Sequence, residues 1–144
     1  MVSMKHLSFV ALLAPAIASC GVPANKAQKD SQSPLEQIEV TAVQVASEFK
    51  KNEAAAFLKY RGKQINVSGS IESIDLDFQD NPVIHLKSAE IFQSVAIYGI
   101  STETAAKFEK GQKIVFGCTE LTEVIGSPQV NNCVGFDKDG NTYN

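Results

Sequence analysis

Two histidines, three cysteines and a short cluster of aspartates are the side chains of this 144-residue chain with the most obvious chemical potential. His85 lies inside a short apolar run, Val83–Leu86, and no nucleophile or carboxylate pattern accompanies it. A general base without such partners does no chemistry, so His85 reads as a strand residue and no catalytic residue is assigned. Asp75, Asp77 and Asp80 share a polar stretch. Several carboxylate oxygens in one loop suit a hard cation; the plainer alternative is a solvated acidic loop. Asp137-Lys138-Asp139-Gly140-Asn141 opens like a calcium-binding loop but lacks the glycine at the sixth place and the closing glutamate. No metal site follows, no glycine-rich phosphate cradle is present, and no cofactor is expected.

The first cysteine belongs to a leader. Lys5 provides a positive start, Leu7–Ile17 is an apolar run too short to span a bilayer, and small residues follow. The run ends Ile17-Ala18-Ser19-Cys20-Gly21. This resembles the bacterial lipobox, in which small residues fit a narrow peptidase groove and the cysteine thiol takes a diacylglycerol. The resemblance implies acylation at Cys20 and a lipid bilayer as partner; a plain cleaved secretory signal is the alternative. Several acyl chains hold stably where one is marginal. Gly21 resembles the residue found there in lipoproteins sorted to the outer membrane, facing the periplasm. Removal of residues 1–19 leaves 12 basic against 16 acidic side chains. That balance disfavours nucleic acid as a general partner, because such affinity comes from neutralised phosphates.

The elements that must position His85 and the aspartates can be read next. After a flexible tether, 20–33, Ser33-Pro34-Leu35-Glu36 satisfies several helix-start preferences. Leu35, Ile38, Ala42, Val45 and Phe49 then recur at helical spacing towards Lys51. Asn52-Glu53 is a second start signal, and Gly62 closes the helical segment, 34–61. Whether it is one helix or two is left open. Within Tyr60–Ile74, Ile65, Val67, Gly69 and Ile71 share one face and Asn66, Ser68, Ser70 and Glu72 the other. A glycine on the buried face invites a bend or a close approach. The apolar phase then slips to Ile74, Leu76 and Phe78, which predicts a bulge near Ser73. Shorter strands follow at Val83–Leu86 and Phe92–Tyr98, then a small helix capped by Ser101, then strands at Lys113–Cys118 and Gln129–Phe136. This order, with one short helix between the third and fourth strands, is that of an OB-fold, a five-stranded, partly open Greek-key barrel over 62–136, with a tail, 137–144. Another small α+β sheet is the alternative.

Cys118 and Cys133 fall symmetrically about Ile125-Gly126, where turn chemistry is expected. In a hairpin centred there they face each other within reach of a disulfide, and an exported protein meets an oxidising compartment. Without a nearby histidine, a third thiol or a C-x-x-C motif, a zinc pair or redox couple is the weaker reading.

Asn52, Ala54–Ala56, Tyr60-Arg61-Gly62-Lys63, Val67-Ser68-Gly69, Lys110-Gly111-Gln112 and the Gly117-Cys118…Cys133 pair together resemble the tRNA-anticodon-like OB-fold proteins, small bacterial exported proteins and lipoproteins. The resemblance spans about Ala46 to Phe136 and implies the barrel with helices ahead of it. An OB-fold takes ligands across its second and third strands and two flanking loops. Here that gives Asp75, Asp77, Phe78, His85, Lys87 and Tyr98, with 121–129 as the second loop. The ligand expected is an envelope protein, a glycan or a small molecule. Phe78, Phe92 and Tyr98 are stacking candidates, but with no Trp and Lys87 nearly alone as a cation, each fits the core better.

Overall fold

The computed structural model describes residues 35–89, 93–137 and 139–143. The leader 1–19, Cys20, the tether 20–33, the Ser33-Pro34 start signal and Phe92 lie outside the described residues. The elements are β1 (Gln37–Thr41), α1 (Ala42–Lys51), α2 (Glu53–Tyr60), β2 (Gln64–Leu76), β3 (Pro82–Leu86), β4 (Val95–Ile97), α3 (Thr102–Ala105), β5 (Lys113–Val124) and β6 (Ser127–Phe136).

The helix expected from residue 34 begins later. Ile38 and Val40 alternate with polar neighbours, and Gln37–Thr41 pairs in parallel with Gln64–Ser68 as a strand. β3 covers only the far half of that edge of β2, Ile71–Leu76, so the near half is open to β1. Thr41 instead caps α1, its hydroxyl accepting from Gln44 N–H at 3.1 Å. There are two helices. Asn52 is extended, and its side chain accepts from Ala55 N–H at 3.1 Å, stopping one helix and starting the next.

Glu48 locks these helices together. Its carboxylate accepts from Lys59 Nζ at 2.7 Å, Tyr60 Oη at 2.8 Å and Gln44 Nε2 at 3.0 Å. Burial is the largest single influence on Glu48 and opposes its charge; the hydrogen bonds from Lys59, Gln44 and Tyr60, with the lysine's charge, together outweigh it and hold its pKa below the ordinary carboxylate value. Tyr60, 1% exposed, is pushed the other way by burial and then by Glu48. The depressed Glu48 group therefore stabilises the fold above the ordinary carboxylate pKa, and that contribution disappears as pH falls through the lowered one. The raised Tyr60 group stabilises below the ordinary phenol pKa and loses its contribution only as pH rises through the raised one. Glu48→Gln is expected to cost about 1–2 kcal/mol at neutral pH and to flatten the acid limb of a melting-temperature profile; an unchanged acid slope would contradict the clasp.

β2 is the strand around which the barrel closes. Its edges pair antiparallel with β5 over Ile65–Ser70 and with β3 over Ile71–Leu76, and the register shifts between Ile71 and Ser73 where the bulge was predicted. The sheet continues β3–β4–β6–β5 and returns to β2, which is the OB closure, with α3 between the third and fourth barrel strands. Ile65, Val67 and Ile71 point into the core with Ile84, Leu86, Ile97, Phe116 and Val130. Gly69 sits on the same face, and a Cβ there would stand 3.3 Å from the Ala42 and Leu86 side chains. Its missing side chain is what lets the start of α1 reach the barrel wall.

β5 runs on to Val124, six residues past the predicted end. Its inward phase slips by one between Cys118 and Leu121, opposite Asn132 with φ 53°, yet it stays in register with β6 down to Val124 opposite Ser127. Cys118 faces Cys133 in that ladder, joined by a disulfide with Cα atoms 4.1 Å apart. The two-residue turn has φ 51° at Ile125 and 75° at Gly126, as a type I′ hairpin requires. Glycine adopts this freely; a β-branched residue in the left-handed region costs about 1–2 kcal/mol. The tail also folds back: Thr142 bridges Phe136, Tyr143 N–H donates to Gly135 O at 3.0 Å, and the Tyr143 ring meets Phe108 edge-on at 4.8 Å.

Candidate functional site

The outer faces of β2, β3 and β4 carry Ser73, Asp75 and His85 beside the buried Val83 and Ala96. Ser73 lies opposite His85, and His85 opposite Ala96; Asp75 lies opposite Val83. The same alternation puts Tyr98, half-buried and two residues past Ala96, on this face beside Val83. Lys87 follows His85 on the outside, its N–H donating to Ser70 O at 2.9 Å. Register therefore gathers Asp75, His85, Lys87 and Tyr98 on one outer face, with Phe78 in the loop at its end.

Four side chains line up there as two hydrogen-bonded pairs, Ser73 with Asp75 and His85 with Ser94. Ser73 Oγ donates to Asp75 Oδ2 at 2.7 Å, that oxygen stands 3.8 Å from His85 Nε2, and His85 Nδ1 lies 2.9 Å from Ser94 Oγ. Serine, imidazole and carboxylate in that order are the parts of a hydrolytic relay. The carboxylate is beyond hydrogen-bond reach of the ring, and the oxygen nearest it already accepts from Ser73. The arrangement fixes an imidazole on a solvent-facing sheet; it does not activate the serine.

Asp77, expected in the ligand set, is committed to its own loop. Its Oδ1 accepts from Gln79 N–H at 2.8 Å and Asn81 N–H at 2.9 Å, and the Asn81 amide reaches Oδ2 at 3.3 Å. The Asn81 N–H is the main cause holding its pKa below the ordinary value. The tail repeats the device: Asp137 accepts from the Asn141 amide at 3.0 Å and from Asn141 and Asp139 N–H at 2.9 and 2.8 Å, again with a lowered pKa led by the Asn141 side chain. Both acidic loops are turn chemistry. Among the described residues no group of three or more His, Cys, Asp or Glu side chains is placed to hold a metal ion.

Phe78 departs from its expected place in the core. It is 94% exposed, because the first hairpin turns at Asp77–Asn81 before the even register can carry it inward. Ser73 and Ser94 are the members of the face that sequence alone did not single out. The outward phase of β2 after the bulge would have found Ser73; nothing in the sequence distinguishes Ser94.

A closed OB barrel with a polar outer face and no metal cluster among its described residues is the frame of a binding domain. The sequence profile of the tRNA_anti-like family matches residues 2–134, and the chain belongs to that family of OB-fold binding domains. No curated protein matches the chain. The crystal structure of a Klebsiella pneumoniae subsp. pneumoniae lipoprotein, to which nucleic-acid binding has been ascribed, superposes with TM-score 0.57 at 15% identity, covering 70% of this chain and 92% of that one; the likeness is one of fold. A Leishmania major protein assigned as an aspartyl-tRNA synthetase aligns over 82% of this chain and 21% of its own, at 9% identity and TM-score 0.41, and carries no argument.

Proposed function

We propose that this protein is a non-catalytic binding module of the bacterial cell envelope, held to a membrane through acylated Cys20. On this reading it sits at the outer membrane facing the periplasm and binds an envelope protein, a glycan or a small ligand along the outer face of β2–β4. The observation that carries the binding face is the row Ser73, Asp75, His85 and Ser94 on the outer strands, with the exposed Phe78 in the loop between β2 and β3. Hydroxyl, carboxylate and imidazole groups held in fixed positions, with an apolar ring in the adjoining loop, suit a ligand with both polar and flat faces. The lipobox resemblance and the structural neighbour's being a lipoprotein support the anchor.

The test compares affinity capture from intact envelopes by the full chain and by its Phe78→Ala/His85→Ala pair. A partner recovered by the wild type and reduced at least tenfold with the pair is the expected result; equal recovery by both removes the face. Fatty-acid labelling lost in Cys20→Ala supports the anchor, and unchanged labelling removes it.

A second reading, single-stranded oligonucleotide binding, is favoured by the exposed ring of Phe78, by the cation Lys87 just past the far end of β3, and by what is ascribed to the Klebsiella neighbour. The acidic balance of the chain stands against it. Salt-dependent retardation of a labelled oligonucleotide, weakened by Phe78→Ala, would support it; no retardation at low salt would discard it.

A further inference from the structure

Beyond the ligand face, three features of β5 and β6 belong together. After Cys118 the pairing of β5 with β2 ends, and Thr119–Val124 continues as an arm paired with β6, cross-linked at its base by the disulfide. At the tip Val124 is 48% and Ile125 97% exposed, and Ile125 is the residue held in the left-handed region. Asparagine or glycine would serve that turn without strain. Among the described residues the isoleucine side chain has almost no cover, being 97% exposed.

At the other end of β5, a groove of about 650 Å³ opens against Lys113, its first residue. Val43, Val115 and Phe136 line its walls, and Ser70 on its floor lies between Lys113, its partner in register, and Lys87, whose N–H it receives. Among the described residues neither lysine forms an ion pair. Asp137 also lines the groove, with its carboxylate occupied by its own loop. The tip carries the opposite charge: Glu123 accepts from Gly126 N–H and stands against Glu53, whose pKa this neighbour raises.

We propose that the groove receives the hairpin tip of a second copy of this chain, so that the protein associates head to tail. An apolar tip flanked by carboxylates meets an apolar groove flanked by ammonium groups. Tip and groove are different surfaces at opposite ends of one strand, so a head-to-tail contact between them is heterologous and adds further copies, as a ring or a line. Burial in the groove gives Ile125 the cover that the isolated fold denies it. Lys87 belongs both to this groove and to the face proposed for the ligand, so Phe78→Ala and His85→Ala, which lie outside the groove, separate failure of the ligand reading from failure of the association.

The full-length chain in intact bacterial cells, with a photoreactive benzophenone residue in place of Val124, tests this. Irradiation is expected to give a ladder of dimer and higher species, with adducts mapping to 41–43, 113–115 or 136. Ile125→Asn should reduce the ladder at least tenfold while the thermal midpoint stays level or rises, which separates lost docking from lost folding. Lys87→Glu with Lys113→Glu should reduce it similarly, and adding Glu53→Lys with Glu123→Lys should restore it. No ladder, a ladder indifferent to Ile125→Asn, failure of the charge exchange to restore it, or adducts only to lipid, another protein or another part of this chain would each overturn the proposal.

Discussion

Replacing Cys118 and Cys133 together by alanine is expected to lower stability by about 3 kcal/mol, from the chain-entropy cost of leaving a loop of this size open. For a domain near one hundred residues that is a fall of roughly 10–20 °C in thermal midpoint. The cysteines are 15 positions apart, directly opposed in the β5–β6 ladder and buried in the core. The substitution therefore also empties packed space, and reductant added to the wild type should reproduce most of the fall. A double variant melting within a few degrees of the wild type would show that the turn and ladder alone fix the hairpin.

Phe116→Ala should cost more, about 3–5 kcal/mol, a large share of the stability of an ordinary domain. Phe116 is fully buried, opposite Val67 on β2 and Gly135 on β6. Its ring meets Phe108 edge-on at 5.8 Å, and Phe108 in turn meets Tyr143. Truncation leaves a cavity at the point where β2, β5, β6 and the tail converge. Phe78→Ala removes the same atoms from a ring in water and should change stability by less than about 0.5 kcal/mol. Denaturant titration of the two variants reads the difference directly; similar midpoints would mean that Phe116 does not hold the core.

The contrast between these phenylalanines shows what a sequence reveals here. The inward face of β2 was legible because Ile65, Val67, Gly69 and Ile71 keep strict alternation, and the bulge because the apolar phase slips once. The hairpin was legible because two cysteines fall symmetrically about a glycine-containing turn. β1 was not: Leu35, Ile38, Ala42, Val45 and Phe49 fit a helix, and only the free near edge of β2 makes Gln37–Thr41 a strand. That is tertiary context overriding local pattern. On the outer face, Asp75, His85, Lys87 and Tyr98 follow from barrel topology. Asp77 accepts hydrogen bonds within its own loop that no spacing rule announces, and the groove combines side chains from α1, β2, β5 and β6 that are distant in the chain.

The seam between β2 and β5 sets Ile65 against Cys118 and Ser70 against Lys113. Every other barrel contact of β5 can form locally with β6, but this one must draw together segments separated by two intervening strands and a helix. Such closure is entropically slow and late in folding. Until it happens a newly made chain presents two unpaired edges, β2 on one side and β5 on the other, each able to recruit a foreign strand. The interval before ring closure is therefore when this protein most needs a chaperone.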